Sequence, residues 1–190
     1  MQELIKAELQ ASIETKELVL AALVPAIEKA AAIMIEALKN GHKIMFFGNG
    51  GSAADAQHLA GELIGRFLKE RRSLPALALT TDSSVLTCLA NDYGFDVVFA
   101  RQIEGLAQKG DVAFGISTSG NSKNIINGLK KARELGCQTI GLLGGNGGQT
   151  AGLVDLALTV PGKATPRIQE SHITIGHILC RLIERDLFPE

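Results

Sequence analysis

His58 and Glu62 stand four residues apart, the first pair in the chain whose types and spacing could do chemistry. On a helix an i, i+4 pair shares one face, so an imidazole and a carboxylate there could pass a proton or share a metal ion. The same spacing also suits a mild surface contact. Just upstream, the apolar run Ile44-Met45-Phe46-Phe47 turns through Gly48-Asn49-Gly50-Gly51 into Ser52. Ser52 reads as a helix cap, and Ala53, Ala54, Ala56, Leu59 and Ala60 as helix formers small enough to pack close to a sheet. Strand, glycine turn and helix start make an anion site beside that pair. A second loop, Ser117-Thr118-Ser119-Gly120-Asn121-Ser122, offers four hydroxyls and the free N–H groups of a helix start. It is either a phosphate cradle or a Ser-rich turn before a capped helix.

Two other anion motifs do not fit. The second loop lacks a Gly-Lys-Ser/Thr ending and is not an NTPase loop. Gly48, Gly50 and Ala53 match G-x-G-x-x-A, but the acidic partner would be Asp82, about thirty residues on rather than about twenty, which sets nicotinamide and flavin aside. His177, amid Ile173, Ile175, Ile178 and Leu179, reads from its neighbours alone as a core histidine.

For these residues to act together, two loops must meet at one edge of a sheet. Apolar runs at 44–47, 75–79, 111–116, 138–143 and 155–160 have strand length and composition. The segments between them predict helices at 52–69, 83–90 with 97–108, 122–135, a short one near 149–153, and 167–187. This alternation predicts one α/β domain over 1–190, a three-layer α/β/α sandwich on a five-stranded parallel sheet. Its ligands would sit at the carboxyl ends of the strands. Ahead of the sheet, Ile5, Leu9, Ile13 and Leu20 predict an amphipathic helix over 2–23. Ile27, Ala30, Ala31, Met34, Ala37 and Leu38 predict a second from Pro25 to Asn40, ended by Gly41. Two helices exceed what one sheet needs, so 1–40 is read as subunit-contact material and 41–190 as the binding core. The other reading is a helical layer within one monomer.

With 19 basic and 20 acidic side chains the net charge is -1, so the charge balance announces no nucleic-acid or anionic-membrane surface. Any phosphate must be held locally. Cys88, Cys137 and Cys180 have no pairing or metal spacing and suit a reducing compartment. Early charges and Pro25 argue against a signal peptide or spanning helix, so a cytoplasmic location is expected.

Taken together, five stretches strongly resemble the sugar isomerase (SIS) domain family and, within it, the phosphoheptose isomerases. They are Gly48-Asn49-Gly50-Gly51-Ser52, His58-Leu59-Ala60-Gly61-Glu62, Ala90-Asn91-Asp92-Tyr93-Gly94, Gly115 to Ser122, and Arg167-Ile168-Gln169-Glu170 followed by His177. The resemblance runs from end to end and implies a flavodoxin-like SIS fold. It implies isomerisation of sedoheptulose 7-phosphate to D-glycero-D-manno-heptose 7-phosphate, the first step toward activated heptoses for surface polysaccharide such as lipopolysaccharide. It further implies a homotetramer with zinc-responsive sites, one Zn2+ per subunit. Carried over by position, Asn49, Gly50, Gly51, Glu62, Asn91, Asp92, Ser117, Thr118, Ser119, Ser122 and Gln169 would bind the phosphorylated sugar. His58, Glu62, Gln169 and His177 would hold zinc, and Glu62 and His177 would be base and acid.

Geometry strains that ligand set. On one continuous helix Gln169 and His177 would lie about 12 Å apart along the axis, with side chains diverging by about 80°. Gln169 is therefore expected at or before the helix start, or else the site is shared between chains. A competing resemblance, in the ends Met1 to Ala7 and Leu187 to Pro189, is to a non-enzymatic SIS relative that binds the bacterial replication initiator. That relative lacks the counterparts of Glu62 and His177, which this chain keeps.

Overall fold

A computed structural model describes residues 1–189. Two helices, α1 (Gln2–Ala22) and α2 (Val24–Lys39), precede the first strand, and Pro25 sits in the opening turn of α2, where its missing N–H costs nothing. The core follows as β1 (Ile44–Gly48), α3 (Gly51–Ile64), β2 (Ala76–Ala78), α4 (Ser83–Tyr93), a 3-10 turn at Phe95–Val97 and α5 (Val98–Leu106). It closes with β3 (Val112–Ser117), α6 (Lys123–Glu134), β4 (Gln138–Gly144), β5 (Leu156–Val160) and α7 (Thr165–Leu187). All strands run parallel in the order β2-β1-β3-β4-β5, the flavodoxin-like winding expected from the sequence.

Every residue of β1 and β3 is buried, as a parallel sheet covered on both faces requires. Alternation divides them between two cores. Phe46 meets Phe114 at 5.3 Å on the face covered by α2, α3 and α7, while Phe47 meets Phe99 at 5.3 Å on the face covered by α5 and α6. Burying one such ring is worth about 2–3 kcal/mol, so each face has its own anchor. The order reverses between β1 and β3, which places the β1–α3 and β3–α6 loops side by side at the carboxyl edge.

Four local expectations change. The N-cap of α3 is Gly50, at φ 55°, and Ser52 lies buried inside the first turn. Helix α3 stops at Ile64, because Gly65 breaks it and the following segment is held by an ion pair described below. The short helix expected near 149–153 is a run of turns tied to the β3–α6 loop, with Thr150 N–H and Oγ both donating to Gly120 O. Helix α7 begins at Thr165, with Pro166 in its first turn, so Gln169 lies inside the helix and not before it.

Candidate active site

Helices α3 and α7 both follow parallel strands and lie side by side, running the same way: Gln169 abuts Gly51 and Asp55, Gly176 abuts Leu59, and His177 meets His58. Their approach depends on Gly176, where a Cβ would fall 2.5 Å from Leu59 Cδ2. That contact takes His177 out of the core its neighbours suggested and places its ring edge-on to His58, with centroids 5.0 Å apart. The two Nε2 atoms are 2.8 Å apart, so one carries the hydrogen and the other accepts it. Glu62 Oε1 lies 3.2 Å from His58 Nε2.

These donors suit a metal ion. One atom from each of His58, Glu62 and His177 falls within 4.8 Å of the others. Ligands about 2.0–2.2 Å from a tetrahedral zinc stand about 3.3–3.5 Å from one another, so small rotations complete the set. Two imidazoles and a carboxylate leave a fourth position open, as in zinc sites that do chemistry.

Gln169 is engaged with another side chain of α3, Asp55. Its Nε2 donates to Asp55 Oδ1 at 2.6 Å, about two helical turns before His177. Gln169 and His177 thus lie on one continuous helix, and the expectation that Gln169 precedes that helix does not hold.

Sequence reasoning missed the brace behind the site. Arg71 and Glu184 form an ion pair with side chains 0% and 2% exposed. Glu184 accepts from Phe67 N, Leu68 N, Lys69 N and Arg71 Nε at 2.8–3.1 Å. Burial alone would raise the Glu184 pKa, but those backbone N–H groups and the guanidinium hold it below the ordinary value. Arg71 in turn caps the end of α3, donating to the carbonyls of Glu62 and Leu63 at 2.8 Å and of Gly65 at 3.0 Å. The pair thus fixes the backbone of Glu62 and seats Phe67 against His177, rings stacked at 5.5 Å. One signal was legible: Glu184 falls one turn after Cys180 on the apolar stripe of α7, where a carboxylate needs a buried partner.

At the neighbouring loop, Ser117 Oγ accepts from Gly120 N at 3.0 Å and lies 3.5 Å from Ser122 Oγ. Ser119 is exposed, and Thr118 and Ser122 are half-buried. Gly120, at φ +64°, sits so close to the 145–150 turn that a Cβ would fall 2.0 Å from Gly147 O. Asn49 leaves the β1–α3 loop to pair both ways with the buried Asn124 at 2.9 Å, a partner the sequence did not flag, so the two loops are joined. Gly50 and Gly51 are exposed beside them. Asn91 and Asp92 are exposed at the end of α4, and their side-chain bonds, Asn91 to Asp92 and Cys88 to Asp92, stay within that helix.

Comparison with known proteins gives the family. The SIS domain model matches residues 9–144. A phosphoheptose isomerase of Nitratiruptor sp. is 60% identical over 184 residues, 97% of this chain and 98% of that one, and one of Geobacter sulfurreducens is 56% identical over 97% and 98%. Among solved structures, the phosphoheptose isomerase of Neisseria gonorrhoeae superposes with a TM-score of 0.92 at 46% identity, covering 96% of this chain and 98% of that one. That of Francisella tularensis gives 0.94 at 38% identity, covering 97% and 98%. The chain belongs to the SIS domain family, in its phosphoheptose isomerase branch.

Proposed function

We propose that this chain is an aldose-ketose isomerase that converts sedoheptulose 7-phosphate to D-glycero-D-manno-heptose 7-phosphate, opening the route to activated heptoses for surface polysaccharide. The convergence of Glu62 with His58 and His177, beside two joined anion loops, carries the reading. The initiator-binding alternative has no use for that carboxylate or that second imidazole.

The hydroxyls of Ser117, Thr118, Ser119 and Ser122, with the N–H groups at the start of α6, receive the phosphate. Gly50 and Gly51, without side chains, let the sugar approach the start of α3. The reaction moves a carbonyl from C2 to C1. Glu62 carboxylate takes a proton from C1 while the C2 oxygen gains one, giving an enediol, and His177 serves the oxygens as acid and base. Glu62 then returns a proton to C2 as the O1 proton leaves, and the aldose forms with no net change in oxidation state. Phe67, stacked on His177, keeps one face of that imidazole dry.

His58, Glu62 and His177 would hold zinc, which when bound supplies an electrophile that polarises the sugar oxygens. Because Nε2 has one lone pair, His177 ligates or relays a proton at that atom, one role at a time. Asn91 and Asp92, exposed and remote in their bonding, support a site completed by a neighbouring subunit. Leu4, Ile5, Leu9 and Ile13 expose an apolar face on α1 that supports assembly through residues 1–40, into a tetramer by family resemblance. Among the described residues no single helix is long and apolar enough to cross a membrane; a cytoplasmic location follows the expectation from the sequence. Incubating the purified protein with sedoheptulose 7-phosphate, with and without chelator, tests the function. Aldose phosphate is expected, and none under either condition would refute it.

A further inference from the structure

Asp55 is a buried carboxylate that the chemistry above does not use. It stands on α3 one turn before His58, is 5% exposed, and has one hydrogen-bond partner, the Gln169 amide nitrogen at 2.6 Å. Its second oxygen, Oδ2, is buried with no partner among the described residues. Burial pushes its pKa up, against the pull of the Gln169 amide and of His58. Leaving a buried acceptor unsatisfied is destabilising, which is a poor way to hold two helices together when an apolar contact would serve.

What the arrangement does achieve is orientation. An ionised carboxylate can only accept, so the amide of Gln169 must turn its NH2 toward Asp55. The two ends of a glutamine amide are nearly identical in shape, and without such a partner either could face outward. Among the described residues Gln169 Oε1 takes no hydrogen bond and it is not buried, and the side chain lies over Gly51, where a Cβ would come 3.6 Å from Gln169 Cγ. The side chain thus passes over the start of α3 with its nitrogen engaged and its oxygen unpartnered among the described residues.

We propose that Asp55 is a positioning residue that locks the Gln169 amide with its nitrogen inward and its oxygen facing the site. Gln169 then meets its ligand as an acceptor only. It can receive a sugar hydroxyl or meet a divalent cation, and it turns away carbonyl and phosphate oxygens. The inference deepens the proposed function and rests on that reading for its substrate.

Asp55→Asn keeps the shape but lets the pair bond in either sense, so the lock is lost. Asp55→Asn with Gln169→Glu reverses the pair: the amide introduced at position 55 donates, and the carboxylate introduced at position 169 again shows an oxygen to the site. Two readouts separate the sources of the ligand. One is kcat and KM for sedoheptulose 7-phosphate in chelator-treated enzyme, and the other is zinc affinity by competition with a chromophoric chelator. The single variant is expected to melt like the wild type yet lose about ten- to hundredfold in KM if the oxygen receives a hydroxyl, or in zinc affinity if it meets the ion. The double variant is expected to recover most of that loss.

A single variant unchanged in both readouts overturns the proposal. So does a double variant no better than the single, or a loss that follows a fall in melting temperature, since a purely structural role would give that pattern. If the wild type turns over no sugar while zinc affinity follows the expected pattern, the proposed function fails and the orientation of Gln169 stands.

Discussion

Replacing Glu184 by glutamine tests whether the buried brace behind the site sets both stability and catalysis. In the native protein Oε1 accepts from Phe67 N and Arg71 Nε, and Oε2 from Leu68 N and Lys69 N. A glutamine has one acceptor oxygen, so whichever way its amide lies, its NH2 faces two donors. Two hydrogen bonds to a charged group are lost, each worth roughly 1.5–3 kcal/mol, and Arg71 keeps its charge with only carbonyls around it. The expected cost is about 3–5 kcal/mol, in line with breaking a buried ion pair from one side. For a chain of this length that lowers the melting temperature by roughly 10 °C, measured at fixed protein concentration because assembly shifts the midpoint. Below the transition kcat should also fall, because Phe67 loosens from His177 and the carbonyl of Glu62 loses its anchored cap. A variant that melts within about 2 °C of the wild type, with unchanged kcat, would refute the reasoning.

Two further substitutions probe other parts. His172 is buried, and its Nε2–H donates to Leu143 O, leaving Nδ1 without a partner among the described residues. Burial holds its pKa down to about 4. Between its ordinary value and that one the unfolded chain takes up a proton that the folded chain refuses. Stability therefore falls as pH drops through this window, by about 3 kcal/mol in all, and is unaffected above it. His172→Gln keeps the donor and should flatten that slope, seen as denaturant midpoints at pH 7 and pH 5; parallel profiles would remove His172 as the cause. Gly120→Ala puts a methyl against Gly147 O in a left-handed conformation. That costs about 1–3 kcal/mol in backbone strain and pushes the β3–α6 loop, the proposed phosphate holder, off the 145–150 turn, so KM for the sugar phosphate should rise at least about tenfold. An unchanged KM would remove this loop as the phosphate holder.

Periodicity made the sheet legible. The apolar runs of β1 and β3 and the spacing of Ile27, Ala30, Ala31, Met34, Ala37 and Leu38 state which faces are buried, and the structure follows them. Spacing also placed His58 and Glu62 on one face. It could not place His177, because proximity between α3 and α7 depends on Gly176 meeting Leu59, a contact between distant parts of the chain. Asn124 and Arg71 were invisible for the same reason: each acts through one long-range hydrogen-bonded partner, Asn49 and Glu184, and neither lies in a pattern that names it. The helices expected to run to 69 and near 149–153 failed where tertiary bonds, to Glu184 and to Gly120 O, outweighed local propensity.

If Glu62 is the base, Glu62→Gln must stop the turnover of sedoheptulose 7-phosphate. The substitution keeps the size of the side chain and leaves the backbone cap on Arg71 in place. A loss on the order of a thousandfold in kcat is expected, with melting temperature and assembly unchanged. Turnover within tenfold of the wild type would contradict it.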